Sequence, residues 1–344
     1  MLMKSLIFTG LKLLCLAVAL LLTPGVMAAD LSGVVGLMER KDYTRAEPLL
    51  RQVLAREEDA DAEYLLGFLL IETYRFDEAE QHLRRAVAAR SQQTHWLMVL
   101  AKSQLEQGKN LAAAEVLDQA IAIQPKPAYY HARAMATLNT GDLAAAEASL
   151  RACLALDARH SDALYRLGSL LIDQGRDEEG IGILERARTL NPENTDMLYK
   201  LGAAYRQADK PVEAEELLVA VLERVPGHVG ALYNLSRVLI QSGRREEAVA
   251  VLERFRSMSK LGDEIDFNAT AVRKNPGNID GRLHLASLYK RAGRTHDALT
   301  ELLAARVMAP RDGRIYRALA AAYRSLGDET NAQRAERFAA SIGG

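Results

Sequence analysis

From about residue 27 onward, apolar and small residues recur three and four positions apart. Gly, Asp, Asn or Pro interrupts them every dozen residues or so. Such spacing puts the apolar positions on one stripe of a helix, and the interruptions are helix stops and starts. The pattern predicts short helices throughout and no strand. Aligning Gly67, Gly168 and Gly202 brings out a period of about 34 residues. Nine units follow, starting at Met27, Ala60, Thr94, Pro127, Ser161, Thr195, Val229, Ile279 and Gly313.

Each column of this register has a physical task. Position 8 is small in most units (Gly67, Ala101, Ala134, Gly168, Gly202, Ser236, Ala286, Ala320), and position 20 is Ala or Gly in all of them. Small side chains there let the two helices of a unit approach closely. Position 15 is Gly108, Gly141, Gly175, Gly243, Gly293 and Gly327 in six units, the residue suited to a left-handed helix end. Asp142, Asp177 and Asp328 lie where a helix N-terminus favours negative charge. Leu50, Leu83, Leu117, Leu150, Leu184, Leu218, Leu252 and Leu302 occupy position 24 and face the core; Glu336 departs in the last unit. Pro125, Pro192, Pro226 and Pro310 close second helices by disfavouring the helical conformation of the preceding residue.

The sixth unit reads Thr195-Asp196-Met197-Leu198-Tyr199-Lys200-Leu201-Gly202-Ala203-Ala204-Tyr205, then Ala214, Leu218 and Pro226. This resembles the tetratricopeptide repeat (TPR) family, whose motif at this period is W-x2-L-G-x2-Y…A-x3-F…P. The resemblance covers about residues 27–344. It implies an all-α fold, an α-solenoid wound as a right-handed superhelix of about nine helix-turn-helix units. Residues 29–262 would form units one to seven. Residues 279–344 would form units eight and nine, with a polar capping helix at the end. Residues 263–278 fit no complete unit but end in Asn275-Pro276-Gly277-Asn278, like Asn191-Pro192-Glu193-Asn194. They read as a degenerate half repeat that lost its first helix. A change of direction is expected there, with the first proteolytic cut around Ser257–Asp266.

The resemblance also implies a concave groove lined by positions 2, 5, 9, 12 and 13 of the first helices. Carried over, these are Tyr64, Phe68, His95, Met98, Lys102, His131, Asp162, Tyr165, Asp196, Tyr199, Arg206, Tyr233 and Arg237. At the C-terminal mouth come Lys290, Arg291, Arg314, Arg317 and Arg324. Tyr165, Tyr199 and Tyr233 recur one unit apart and are expected to form a ladder, offering rigid contact area and a hydroxyl. Where tyrosine packs on the next unit instead, it is simply part of the stack. No unit combines Lys at position 5 with Asn at position 9, so the family's clamp for chaperone tails is not expected.

Charge is uneven. Residues 30–93 carry 9 basic and 13 acidic side chains, residues 279–344 carry 11 and 7. A polarised rod steers partners by its field, which fits an acidic peptide or an anionic polymer, or no ligand at all if the arginines are merely solvated. The net charge of −1 argues against nucleic acid. Cys153 falls at position 27 among Val, Ala and Phe, a core position. No phosphate-binding loop, nucleophile elbow, metalloprotease or calcium-loop motif occurs, and His95 and His131 in adjacent units are too few for a metal site. Neither catalysis nor a cofactor is expected.

Lys4 and Lys12, the run Leu13–Leu22, the break at Thr23-Pro24-Gly25 and the small Ala28 read as a signal peptide over residues 1–28. Periplasmic export follows. The alternative is an uncleaved inner-membrane anchor through residues 13–29, the one route to membrane association. The resulting reading is a scaffold that binds proteins or peptides and serves envelope assembly, pilus biogenesis or polysaccharide secretion. The alternative reading is a module holding an anionic sugar polymer. Pairing of arrays through their ends leaves a homo-oligomer open.

Overall fold

The computed structural model describes residues 28–342. The signal peptide expected over residues 1–28 lies, except for Ala28, outside the described residues. Among those described there are eighteen α-helices and no strands. In the first six units they pair as α1 (Ala28–Glu39) with α2 (Tyr43–Leu54), α3 (Ala60–Glu72) with α4 (Phe76–Ala89), α5 (Thr94–Glu106) with α6 (Asn110–Ile123), α7 (Pro127–Thr140) with α8 (Leu143–Leu156), α9 (Ser161–Asp173) with α10 (Asp177–Leu190), and α11 (Thr195–Gln207) with α12 (Pro211–Arg224). Then come α13 (Val229–Gln241) and the long α14 (Arg245–Lys274), α15 (Ile279–Arg291) with α16 (Thr295–Met308), and α17 (Gly313–Ser325) with α18 (Glu329–Ile342). Eight of the nine first helices begin on the residue the period predicts. The fold is an α-solenoid in which helices pack chiefly on their neighbours in sequence. No helix among the described residues is long and apolar enough to cross a membrane.

The chain divides into two compact units, residues 1–170 and 171–344, with the division inside α9. The core of the first runs through Leu50, Leu66, Leu83, Leu100 and Leu117. In the second, Leu302, Ile315 and Leu319 form one cluster, and Leu261, Ile265, Val272, Leu285 and Leu288 another.

Two local rules shape the helix pairs. First helices often start on a side-chain cap. The Asp59 carboxylate accepts from the Ala62 amide (2.8 Å), Asn194 from Met197 (3.0 Å) and Asn278 from Gly281 (2.9 Å). Each satisfies an otherwise unpaired helical N–H. Position 15 is left-handed in all nine units: six glycines, and Lys41, Tyr74 and Asp209 at φ of 58°, 63° and 57°. Within a pair, Gly67 lies so close to Leu83 that an added Cβ would stand 2.6 Å from its Cγ and 3.2 Å from the Ala79 carbonyl oxygen. Gly202 meets Leu218 less tightly, with an added Cβ standing 3.1 Å from its Cγ.

The interruption takes a form the period alone did not suggest. Residues 263–274 are helical and end at the Asn275 turn, but they continue the seventh unit's second helix without a break, giving α14 its 30 residues. No proline falls between Arg245 and Lys274, and Gly262 has no left-handed φ to end the helix. Leu261, Ile265 and Val272 then recur at helical spacing and bury against α15.

Two outcomes follow. Lys41→Gly should stabilise the chain by about 1 kcal/mol in urea unfolding, because it relieves a left-handed non-glycine residue, whereas Gly67→Leu should cost about 1–3 kcal/mol by overpacking. Under limited proteolysis with mass-spectrometric mapping, Ser257–Asp266 should resist as helix; early cleavage there would contradict a continuous α14.

Candidate functional site

The first helices of the first unit bring the expected side chains together, but several are structural. Tyr64 is 4% exposed. It stacks on Trp96 at 5.2 Å between ring centroids and meets the edge of His95 at 5.5 Å. Phe68 and Met98 are half-buried against the same core. Burial, then the nearby Lys126, pushes the His95 imidazole below its usual range. Lys102 lies 4.0 Å from Glu72, with little of either side chain exposed. His131 does not meet His95. Its Nε2 donates to Asp162 at 2.6 Å, and its ring lies 4.9 Å from that of His160. Burial would raise the Asp162 carboxyl, but the His131 hydrogen bond together with the charges of His131, Arg166 and His160 outweighs it, and the net shift is downward. Arg166 stands over the ring of half-buried Tyr165 at 5.8 Å.

In the second unit, Tyr199 and Arg206 converge on the next first helix. Arg206 Nε donates to the Asn234 side-chain oxygen at 2.7 Å, and the Asn234 amide donates to the Gly230 carbonyl (3.0 Å) and the Tyr199 hydroxyl (3.5 Å). The Tyr199 ring lies 4.5 Å from His228. Gly230 is required here, because a Cβ would collide with the Tyr199 hydroxyl. Asp196 is exposed one turn earlier, and Tyr233 and Arg237 are exposed on α13. The basic mouth is largely internally paired. Arg314 binds Asp280 (2.8 Å) and Asp312 (2.7 Å), Arg324 binds Glu336 (2.6 Å), and Arg291 lies 3.7 Å from Glu264. Lys290 and Arg317 are exposed.

The register also carries a charge pattern that reading first-helix positions misses. The carboxylate at position 21 bridges to the base at position 16 of the following unit: Glu47 to Arg75 (2.8 Å), Glu80 to Lys109 (2.7 Å) and Glu215 to Arg244 (2.7 Å). Recurring Glu at position 21 was the available signal. Glu80 is the most buried of the three and also accepts from Gln104 (3.1 Å) and Arg84 (2.8 Å). Burial alone would raise its carboxyl; the hydrogen bonds from Lys109, Gln104 and Arg84 prevail and hold it at about 2. Cys153 has no exposed surface, and burial, helped by Asp157 and Asp162, pushes its thiol up to about 12, far from thiolate chemistry at neutral pH. Among the described residues no group of three or more His, Cys, Asp or Glu is placed to hold a metal ion.

Tetratricopeptide repeat profiles match residues 37–103, 70–138 and 205–256, and a second such profile matches 131–195, together more than half of the chain. The chain is a tetratricopeptide repeat protein. As a TPR chain it is similar in fold to a tetratricopeptide repeat protein from Parabacteroides merdae (15% identity, 76% of this chain and 98% of that one, TM-score 0.50). It is likewise similar to the C-terminal part of a TPR repeat-containing protein from Cytophaga hutchinsonii (17% identity, 74% and 99%, TM-score 0.50). In sequence it is 28% identical over 254 residues to the cellulose synthase operon protein C of Xanthomonas axonopodis pv. citri. The match covers 67% of this TPR chain but only 17% of that relative.

The folded Glu80 carboxyl lies below the usual 4.5, so the stability it contributes is present above that pH and disappears as pH falls toward 2. Glu80→Gln should cost about 1–3 kcal/mol at pH 7, and the gap to the unsubstituted chain should close on acidification. A gap that stays constant from pH 7 to about 2 would contradict the assignment.

Proposed function

We propose that this protein is an exported, non-catalytic TPR scaffold that holds protein or peptide segments against its first helices and serves assembly or secretion of an envelope polysaccharide. The observation that carries the binding part is the Tyr199–Arg206–Asn234–Gly230 cluster. There a tyrosine ring, a guanidinium and an amide network are held in place by neighbouring first helices, with Tyr199 and Arg206 half-exposed. Rigid aromatic area beside fixed donors is the chemistry that favours peptide binding. The polysaccharide context is supported by the similarity to a cellulose synthase operon protein. Export is supported by the N-terminal run of apolar residues behind Lys4 and Lys12.

A second reading, an anionic polymer as ligand, draws on exposed Lys290 and Arg317. It is weakened by the carboxylates already bound to Arg314 and Arg324.

Cross-linking in periplasmic extract, followed by purification and mass spectrometry, should yield discrete protein adducts. Tyr199→Ala and Arg206→Ala should each weaken the isolated pair by about tenfold. Polymer co-purifying in place of protein would overturn the scaffold reading in favour of the second. If Arg317→Glu with Arg324→Glu leaves binding unchanged in low salt, an acidic ligand at the C-terminal end is discarded.

A further inference from the structure

The seventh unit is built like the others but lacks what covers them. At position 24, the leucines of units one to six and eight are fully or almost fully buried; Leu252 is half-exposed. Position 27 is buried in the eight other units, whereas Phe255 is half-exposed. Elsewhere position 5 seats its ring on the start of the next first helix: Tyr64 on His95 and Trp96, Tyr199 on His228. Tyr233 has no such helix beside it. It is 45% exposed and leans back on Phe255 at 5.6 Å. Ile240, on the same helical face as Tyr233 and Arg237, is 44% exposed. Position 21, which bridges to the following unit at three other junctions, is Val249 here and 55% exposed.

One absent neighbour accounts for all of these. The missing unit's first helix would have lain against α13 and the first half of α14. Instead α14 runs on and carries α15 past the seventh unit, onto Leu261, Ile265 and Val272. Gly227, just before α13, lies against Met258 and near the Ala292 carbonyl beyond the end of α15. First helices α11 and α13 pack directly, as do α15 and α17; the α13–α15 pair, like α1–α3, does not reach that extent.

We propose that the seam between α13 and the first half of α14 is a docking site for a single amphipathic α-helix of a partner protein, seated where the stack is one helix short. This rests on the scaffold reading but names a surface distinct from the Tyr199 cluster. A helix is the required form. An extended segment against Leu252 and Phe255 would bury unpaired backbone groups, whereas a helix satisfies its own. Its apolar face should resemble that of α11, where Met197, Leu198, Leu201, Gly202 and Ala204 are the buried residues. Exposed Arg237 calls for a carboxylate on the incoming helix. A second copy of the chain is the poorer occupant, since its described first helices already bury their apolar faces within their own stack.

The probe is a fluorescein-labelled synthetic peptide with the sequence of residues 192–208, which includes the Asn194 cap and Asp196. Fluorescence anisotropy against the full chain should show saturable binding. Tyr233→Asp and Ile240→Asp should each weaken it by about tenfold or more. Both side chains are exposed, so circular dichroism should show the fold retained. Tyr199→Ala should leave peptide binding unchanged while weakening capture of the groove partner, so the seam and the scaffold reading fail separately. No saturation by about 1 mM, or binding indifferent to both seam variants, would overturn the proposal. Sedimentation showing a dimer that Tyr233→Asp dissociates would overturn it in favour of self-association.

Discussion

The close approach of two antiparallel helices within a unit is the constraint on which the remaining structure depends. Leu83 lies on Gly67 at a separation that leaves no room for a larger side chain, and Leu218 lies tightly on Gly202. Burying each such leucine contributes about 1.5–3 kcal/mol, and the contact fixes which face of each helix is left over. That remaining face must be covered by the next unit, which is why the architecture is a succession of neighbour contacts rather than one central core.

Charge does a second job between successive units. The position 21 to position 16 bridges tie one unit's second helix to the turn of the next. At Glu80 the buried carboxylate of the bridge also accepts from Arg84, Gln104 and Gln107. Much of the arginine near the C-terminus is likewise engaged with carboxylates of its own or an adjacent helix. A raw excess of basic residues therefore overstates how much positive charge a partner would meet.

The fold was legible because its determinants are local and repeated. Gly, Asn and Pro at fixed offsets announce where helices stop, and the observed helix starts fall on the periodic positions. The site was less legible because position within a unit does not say what the neighbouring unit presents. Tyr64 and Tyr199 share a column, yet Trp96 closes over the first, while the second meets Gly230 and keeps an accessible face. The carboxylate bridges join residues 28 or 29 apart, a relation visible only once the period is folded. At residues 263–278 the familiar Asn-Pro ending suggested a separate element, but nothing upstream of it stops the preceding helix.

That fused helix has a consequence for how the second unit holds together. In a stack of this kind, cooperativity passes mainly from each second helix to the first helix that follows it, with direct contacts between first helices as a lesser route. Where α13 and α15 do not pack to that extent, the lesser route is missing and α14 is left as the principal carrier. Residues on either side are therefore coupled through one rod, and a break within it would uncouple the seventh repeat from the eighth.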